Sequence, residues 1–423
     1  MRRYNVVLIV IDTLRADHAQ GLDKLLDLGF VKYEDVYATA PWTLPSHASM
    51  FTGMYPSEHG IHETREYQLP ELLNIARARM TKLNSGLLGH LKDEGYTAYI
   101  VTANVFVTSI SGFNSDFEYV INPMTTVLTT RLDKILDQLY AKKGSRVKAL
   151  LEIVKDGNIN MLFNGTKLFV KRRIYNIYKI AKFFSEKAVR NKGGKKISNL
   201  IKNLDLKPPF FLFINIMEAH SPHNSLFIDR RRLRYIGKWL ATGQVDPEAV
   251  KLWKNYPIHA HEAVKRALDI VETLKTRGYW DDTMIIVTSD HGELLGDGGL
   301  EHIYSLLDGN LLVPLYVKYP YRPKRQRGFI TLADIPKIID PSTEEVGRPV
   351  VIAETHGNYM PFKELGIKPD DRYFHHKIRV ISQRIDFIYD ATADVVEKIF
   401  RGQKEETIRI LKALKQETSP SRT

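Results

Sequence analysis

Short apolar runs recur along the chain, and several end abruptly at an acidic or histidine residue. Residues 5–11 (NVVLIVI) are apolar at nearly every position, the pattern of a strand buried on both faces. Residues 210–217 (FFLFINIM), 283–288 and 97–102 read the same way, and 311–319 (LLVPLYVKY) is a further strand in which Pro314 marks an edge or a bulge. Between them, 22–28, 86–94 and 259–276 carry helical spacing. Strands alternating with helices predict an α/β fold: a mostly parallel central sheet with helices on both faces. Late in the chain, 377–389 (KIRVISQRIDFIY) alternates as a hairpin and 393–415 reads as a helix. The expected organisation is a main domain over 1–340, a small C-terminal antiparallel subdomain over 341–415, and an unstructured tail over 416–423.

Composition narrows the class. The 423 residues are 43% hydrophobic and 26% charged, which suits a packed core rather than disorder. The absence of cysteine excludes disulfides, thiolate zinc sites and cysteine nucleophiles. The first apolar run is too short for a signal core, and none approaches the roughly 20 residues of a membrane span. A cytoplasmic protein is expected. Net charge is +12, and its placement is uneven. Residues 124–207 hold 20 Lys/Arg against 6 Asp/Glu, whereas the rest of the chain holds 41 against 43. This segment reads as a basic helical insertion. Its 167–184 stretch mixes cations and aromatics in a way that suits an anionic membrane surface, so a peripheral membrane contact is one reading. Nucleic acid is the weakest reading, because no standard recognition motif accompanies the charge.

In a mostly parallel sheet, ligands bind at the carboxyl ends of the strands. Asp12, Glu218 with His220, and Asp290 with His291 all follow predicted strands. An anionic ester repels nucleophiles, so its cleavage calls for a cation and an activated hydroxyl. Asp12, Asp290 and His291 offer ligands for one divalent ion (Mn²⁺, Zn²⁺, Mg²⁺ or Ca²⁺), and Thr43 offers the hydroxyl as both nucleophile and fourth ligand. Ser46, after Pro45, is expected to begin the next helix, whose backbone N–H groups would face the anion.

Three motifs in order, VIDTLRADH (10–18), ATAPWTLPSHASMFTGMYPSEHG (38–60) and VTSDHGELLG (287–296), resemble the sulfatase branch of the alkaline phosphatase superfamily. The resemblance covers most of the chain outside 124–207. It implies an ester hydrolase or transferase and aligns Thr43 with the catalytic position. True sulfatases carry there a Cys or Ser that becomes formylglycine, an aldehyde that threonine cannot form. His47 stands where sulfatases have Arg, and Asn104 replaces their sulfate-gripping stretch; both are expected to contact substrate. These departures favour phosphate mono- or diesters over sulfate esters, with sulfatase activity as the alternative. By the same resemblance, His220 and His302 either contact the ester and protonate the leaving group or hold a second metal. His223, His259, His261 and His356 read as surface or packing histidines. A reading from another class is a catalytically idle module that binds polyanions or lipid head groups.

Overall fold

A computed structural model describes residues 3–63, 69–83, 87–108, 111–113, 119–121, 192–223, 230–357 and 366–409. Its centre is a seven-stranded sheet. In chain order the strands are β1 (Asn5–Ile11), β2 (Val31–Tyr33), β3 (Thr97–Thr102), β4 (Tyr119–Ile121), β5 (Phe210–Ile216), β6 (Thr283–Thr288) and β7 (Leu315–Lys318). Across the sheet they lie β2-β7-β6-β1-β5-β3-β4. All neighbours are parallel except that β7 runs antiparallel to both β6 and β2.

β1 occupies the middle, and its alternation builds two cores. Val6, Leu8 and Val10 face one layer with Leu44, Met50 and Phe51 of helix α1 (Thr43–Thr52). Val7, Ile9 and Ile11 face the other layer. There they meet helix α4 (Gly194–Asn203) through Ile197 and Ile201, and helix α6 (Tyr256–Thr276) through Ala260, Val264 and Ile270. Helices α2 (Leu69–Lys82) and α3 (Leu87–Asp93) join the first layer, and α5 (Arg230–Thr242) packs with Trp253 and Leu300 in a smaller cluster. β1 stays apolar and fully buried from Val6 to Ile11, and Asp12 is the first charged residue after it.

The C-terminal part is a four-stranded antiparallel sheet of β8 (Val350–Thr355), β9 (Lys377–Ser382), β10 (Asp386–Asp390) and β11 (Val395–Arg401), paired in chain order. Val351, Ala353, Ile381 and Ile388 seat it against the main core.

Several expectations need correction. The helix expected over 393–415 is strand β11 up to Arg401, and a helical turn begins only at residue 404. Val396 and Ile399 are drawn onto the apolar cluster around Phe387, so sheet packing overrides the helical spacing. The strand expected over 311–319 is shortened to β7, because Asp308–Leu311 forms a helical turn. Pro314 lies just before β7, which is an interior strand rather than an edge, and the Pro314 carbonyl accepts a hydrogen bond from Thr288 Oγ1 at 2.8 Å. Residues 22–28 belong to a 3-10 helix, Gln20–Leu28. Within the expected basic insertion, residues 192–207 are part of the main fold: α4 and Leu206 are core. The rest of it, including 167–184, the end of the expected C-terminal helix over 410–415 and the tail 416–423 lie outside the described residues. Among the described residues no helix is long and apolar enough to cross a membrane.

Candidate active site

The site assembles from strand ends. Asp12 directly follows β1, and its backbone N–H donates to Ile216 O of β5 at 2.9 Å. Asp290 and His291 follow the neighbouring strand β6, whose Thr288 is in register with Val10. Asp12, Asp290 and His291 are fully buried, and one ligand atom from each lies within 4.8 Å of the others. Thr43, at the start of α1, brings Oγ1 to 3.3 Å from His291 Nε2. The four side chains expected to converge therefore do so.

Their hydrogen bonds leave specific atoms unused. Asp12 Oδ2 accepts from Asn104 Nδ2 at 2.6 Å, whereas Oδ1 is buried without a hydrogen-bond partner. Asp290 Oδ1 accepts from the backbone N–H groups of Thr13 (3.1 Å) and His291 (3.0 Å), and Oδ2 is the orphan. His291 Nδ1 donates to Gly292 O at 2.9 Å, which fixes the tautomer and leaves the Nε2 lone pair beside Thr43 Oγ1 and Asp290 Oδ2. Burial, and then Asp290, raises the Asp12 carboxyl to about 6, and burial raises Asp290 to about 7. Burial also lowers His291 to about 4. Two buried carboxylates with orphan oxygens facing an unprotonated imidazole nitrogen form the donor set of a divalent cation. The residues fit one.

Helix α1 begins at Thr43 itself, with Trp42 as its cap residue, and not at Ser46 as expected. Ser46 lies within the first turn and its Oγ donates to Asp290 O at 2.6 Å, tying the helix to the Asp290–His291 segment. His47, the next residue and one turn after Thr43, is fully buried, edge-on to Phe113 and Phe213. Its Nδ1 donates to Thr43 O at 2.9 Å and lies 3.5 Å from Asp290 Oδ2. Neither His47 nor Asn104 was expected beside the acidic pair; Asn104 hydrogen-bonds Asp12, and His47 lies next to Asp290 without a hydrogen bond to it.

His220 and His302 lie side by side, ring centroids 5.2 Å apart, and His302 is 4.7 Å from His291. Burial lowers both to about 4. His302 Nδ1 sits 3.3 Å from Glu293 Oε2 and 3.5 Å from Glu301 Oε1. Arg232 Nε donates to Glu301 Oε2 at 2.8 Å, and Ser221 Oγ donates to Glu301 Oε1 at 3.1 Å. Glu218 turns away, its Oε1 accepting the N–H groups of Lys192 (3.0 Å) and Gly194 (2.7 Å) at the start of α4.

Sequence reasoning missed four residues of this surround. Glu293 is in the third motif but was passed over beside Asp290 and His291. Glu301 precedes His302, carries a positive φ of 71° and accepts a hydrogen bond from Arg232. Arg232 stands in an arginine run with no motif of its own. Lys192 was hidden in the basic segment; it is buried, donates to the Glu218 and His220 carbonyls, and burial lowers it to about 7.

A mostly parallel sheet that delivers carboxylates and histidine from its strand ends to a helix-borne hydroxyl defines the alkaline-phosphatase-like class of fold. The Sulfatase family model matches residues 4–339, and the chain belongs to that family. Among solved structures, the phosphonate monoester hydrolase of Agrobacterium radiobacter is similar over 98% of this chain and 95% of its own (TM-score 0.58, 15% identity). A 2-O GAG sulfatase is similar over 98% and 91% (TM-score 0.58, 12% identity). At the sequence level, a low-salt glycan biosynthesis sulfotransferase of Haloferax volcanii is 29% identical over 113 residues, which span only 27% of this chain and 25% of that protein. Enzymes of sulfate- or phosphorus-ester chemistry thus surround the chain, as hydrolases and as a transferase.

Proposed function

We propose that the protein is a metal-dependent phosphoryl- or phosphonyl-ester hydrolase or transferase that works through a covalent Thr43 ester. The observation that carries this reading is Thr43 Oγ1 beside the Asp12, Asp290 and His291 group, whose two orphan oxygens call for a cation. Asp12, Asp290 and His291 would hold that cation, which neutralises ester oxygens and lowers the pKa of a neighbouring hydroxyl. Thr43 gives up its proton to solvent, and its Oγ forms a bond to phosphorus as the ester oxygen leaves. His302 holds its Nδ1–H toward Glu293 Oε2, so Nε2 is the nitrogen that exchanges a proton with the leaving oxygen; an arriving anion raises its proton affinity. Water or an acceptor alcohol then returns a proton to that nitrogen and displaces Thr43 Oγ. Asn104 acts as a positioning residue for Asp12, and His47, whose Nδ1 donates to Thr43 O, steadies the start of α1 rather than contacting substrate.

Phosphorus is favoured over sulfate because threonine cannot become a formylglycine. The Haloferax relative is named a sulfotransferase, so sulfuryl transfer to a glycan hydroxyl is the second reading. The test compares wild type with Thr43→Ala on aryl phosphate mono- and diesters, aryl phosphonates and aryl sulfates, with and without added alcohol. The expected result is turnover of a phosphorus ester that Thr43→Ala abolishes while metal binding persists, with a phosphoryl or phosphonyl adduct on Thr43 by mass spectrometry. Unchanged turnover in Thr43→Ala overturns the nucleophile, and turnover of sulfates alone overturns the choice of phosphorus.

A further inference from the structure

Besides the Asp12 group and the neighbouring Glu293, Glu301 and His302, a third set of ligand-type side chains meets where the C-terminal sheet faces the turn after α1. It shares no residue with the group around Asp12. Its origin lies in strand register. β8 pairs antiparallel with β9 up to Thr355 opposite Lys377, and His356 and His376 are the residues just beyond that last pair. Glu354, two residues before His356, points to the same face because side chains alternate along a strand. One carboxylate oxygen and one nitrogen from each histidine lie within 4.8 Å of one another. The His356 and His376 rings are stacked at 4.0 Å and 11°, and His62 covers the other face of His356 at 3.5 Å and 14°.

The supports around these side chains are as specific as the side chains. The Glu354 carboxylate is oriented by the Ser57 N–H on Oε2 and the Ser57 hydroxyl on Oε1, both at 2.8 Å, and His356 Nε2 lies 3.2 Å from Oε2. The His376 backbone is clamped: its N–H donates to Thr392 Oγ1 and its carbonyl accepts from Ala391, each at 2.9 Å. Beside it, His375 Nδ1 is held 2.7 Å from Asp390 Oδ2. Yet His376 Nε2 is buried with no hydrogen-bond partner. A Glu354–His356 ion pair alone would explain neither that orphan nitrogen nor a third imidazole in the stack.

We propose that Glu354, His356 and His376 hold a divalent transition-metal ion of the zinc type. Two imidazoles and one carboxylate select borderline ions over Mg²⁺ and Ca²⁺, which prefer all-oxygen sets. Because Ser57 orients the carboxylate and His62 covers the stack, a bound ion ties the C-terminal sheet to the 56–62 turn of the main domain. This inference does not rest on the role assigned to Thr43.

The test is Zn²⁺ and Co²⁺ titration of the full chain after chelator stripping. Asp290→Asn, which disables the first group, is expected to keep one equivalent of Zn²⁺ and to give a visible Co²⁺ spectrum of a nitrogen-ligated ion. Adding His376→Gln, a side chain of similar size, to that variant is expected to weaken this equivalent by more than about 100-fold. In an otherwise wild-type chain, His356→Ala with His376→Ala is expected to lose one equivalent while the Asp290-dependent equivalent remains. If folded Asp290→Asn binds no Zn²⁺, or if the histidine variants keep wild-type stoichiometry, the site is overturned. Should Asp290→Asn fail to fold, the stoichiometry of the otherwise wild-type His376→Gln chain decides alone.

Discussion

Asp12 and Asp290 stand at the carboxyl ends of adjacent parallel strands, and each keeps one buried oxygen, Oδ1 and Oδ2 respectively, without a hydrogen-bond partner. Such a pair repels itself when both members are ionised, and burial removes the water that would screen it. A divalent cation between them changes the sign of the interaction. Adding metal to stripped protein is therefore expected to raise the melting temperature, since a ligand that binds only the folded state stabilises it by mass action. Asp290→Asn keeps an oxygen acceptor for the Thr13 and His291 N–H groups but removes a charge. Thermal melts with Mn²⁺ or Mg²⁺, ions that the histidine-rich set disfavours, should show the rise in wild type and none in Asp290→Asn. An equal rise in both would remove the metal role of Asp290.

Asn104 is expected to act on the metal through Asp12. Its Nδ2 donates to Asp12 Oδ2 at 2.6 Å, and its Oδ1 accepts the Phe106 N–H at 2.8 Å, so the amide is fixed at both ends. Asn104→Ala releases the Asp12 carboxylate and is expected to weaken metal binding by about 10- to 100-fold. The reading is a metal titration, paired with activity at saturating metal. Recovery of activity at high metal marks Asn104 as a positioning residue, whereas a raised KM that metal does not correct marks it as a substrate contact.

His302 is expected to show its proton-transfer role in the choice of leaving group. With Nδ1 committed to Glu293, its Nε2 serves the departing oxygen. Esters of poor leaving groups need that proton and activated aryl esters do not. His302→Gln should therefore slow alkyl esters by about 100- to 10,000-fold, the range of general acid catalysis, and nitrophenyl esters far less. A uniform loss across leaving groups would assign His302 to binding or to metal instead.

The parts of this site that were legible in the sequence are those where one strand both builds the core and ends in chemistry. The apolar run of β1 stops at Asp12 and that of β6 leads through Ser289 to Asp290, so period and motif pointed to the same place. What was hidden depends on register and on packing at a distance. Glu354, His356, His376 and His62 come from three separate stretches and meet only because β8 and β9 pair as they do. Lys192 looked like one more cation in a basic segment, although its backbone is fastened to the buried Glu218. β11 was misread because Val395, Val396, Ile399 and Phe400 also satisfy a helical spacing, and the cluster around Phe387 that decides between the two lies on other strands.

Close backbone packing behind the third motif gives a further expectation. Gly292 follows His291, and a Cβ there would lie 2.0 Å from the Gly309 carbonyl oxygen, while the Gly292 N–H donates to Asn310 O at 2.8 Å. Neither backbone segment is a flexible side chain that could move aside. Gly292→Ala must push the 308–311 turn outward or tilt the Asp290–His291 segment. The expected cost is about 1–3 kcal/mol of stability, read by denaturant melts, together with weakened metal binding. Unchanged stability and metal affinity would show that the two segments pack less tightly than the geometry requires.

His59 connects the fold to pH. It is buried, and its Nδ1 accepts the Ile61 N–H at 2.9 Å, so the ring proton resides on Nε2, 3.2 Å from both Ser49 Oγ and Pro45 O. Protonating Nδ1 would break the Ile61 bond and bury a charge. Burial accordingly lowers His59 to about 3, against 6.5 for a histidine in the unfolded chain. Between those values the unfolded state binds more protons, so this contribution to stability is fully present above pH 6.5 and is lost as pH falls toward 3. The contribution is of the order of a few kcal/mol. His59→Gln has no ring to titrate and is expected to be less stable than wild type at pH 7.5, with the gap narrowing steadily toward pH 4. Denaturant melts at several pH values measure it. A gap that stays constant with pH would mean that the His59 ring charges within the folded protein without resistance, contrary to its hydrogen bonds.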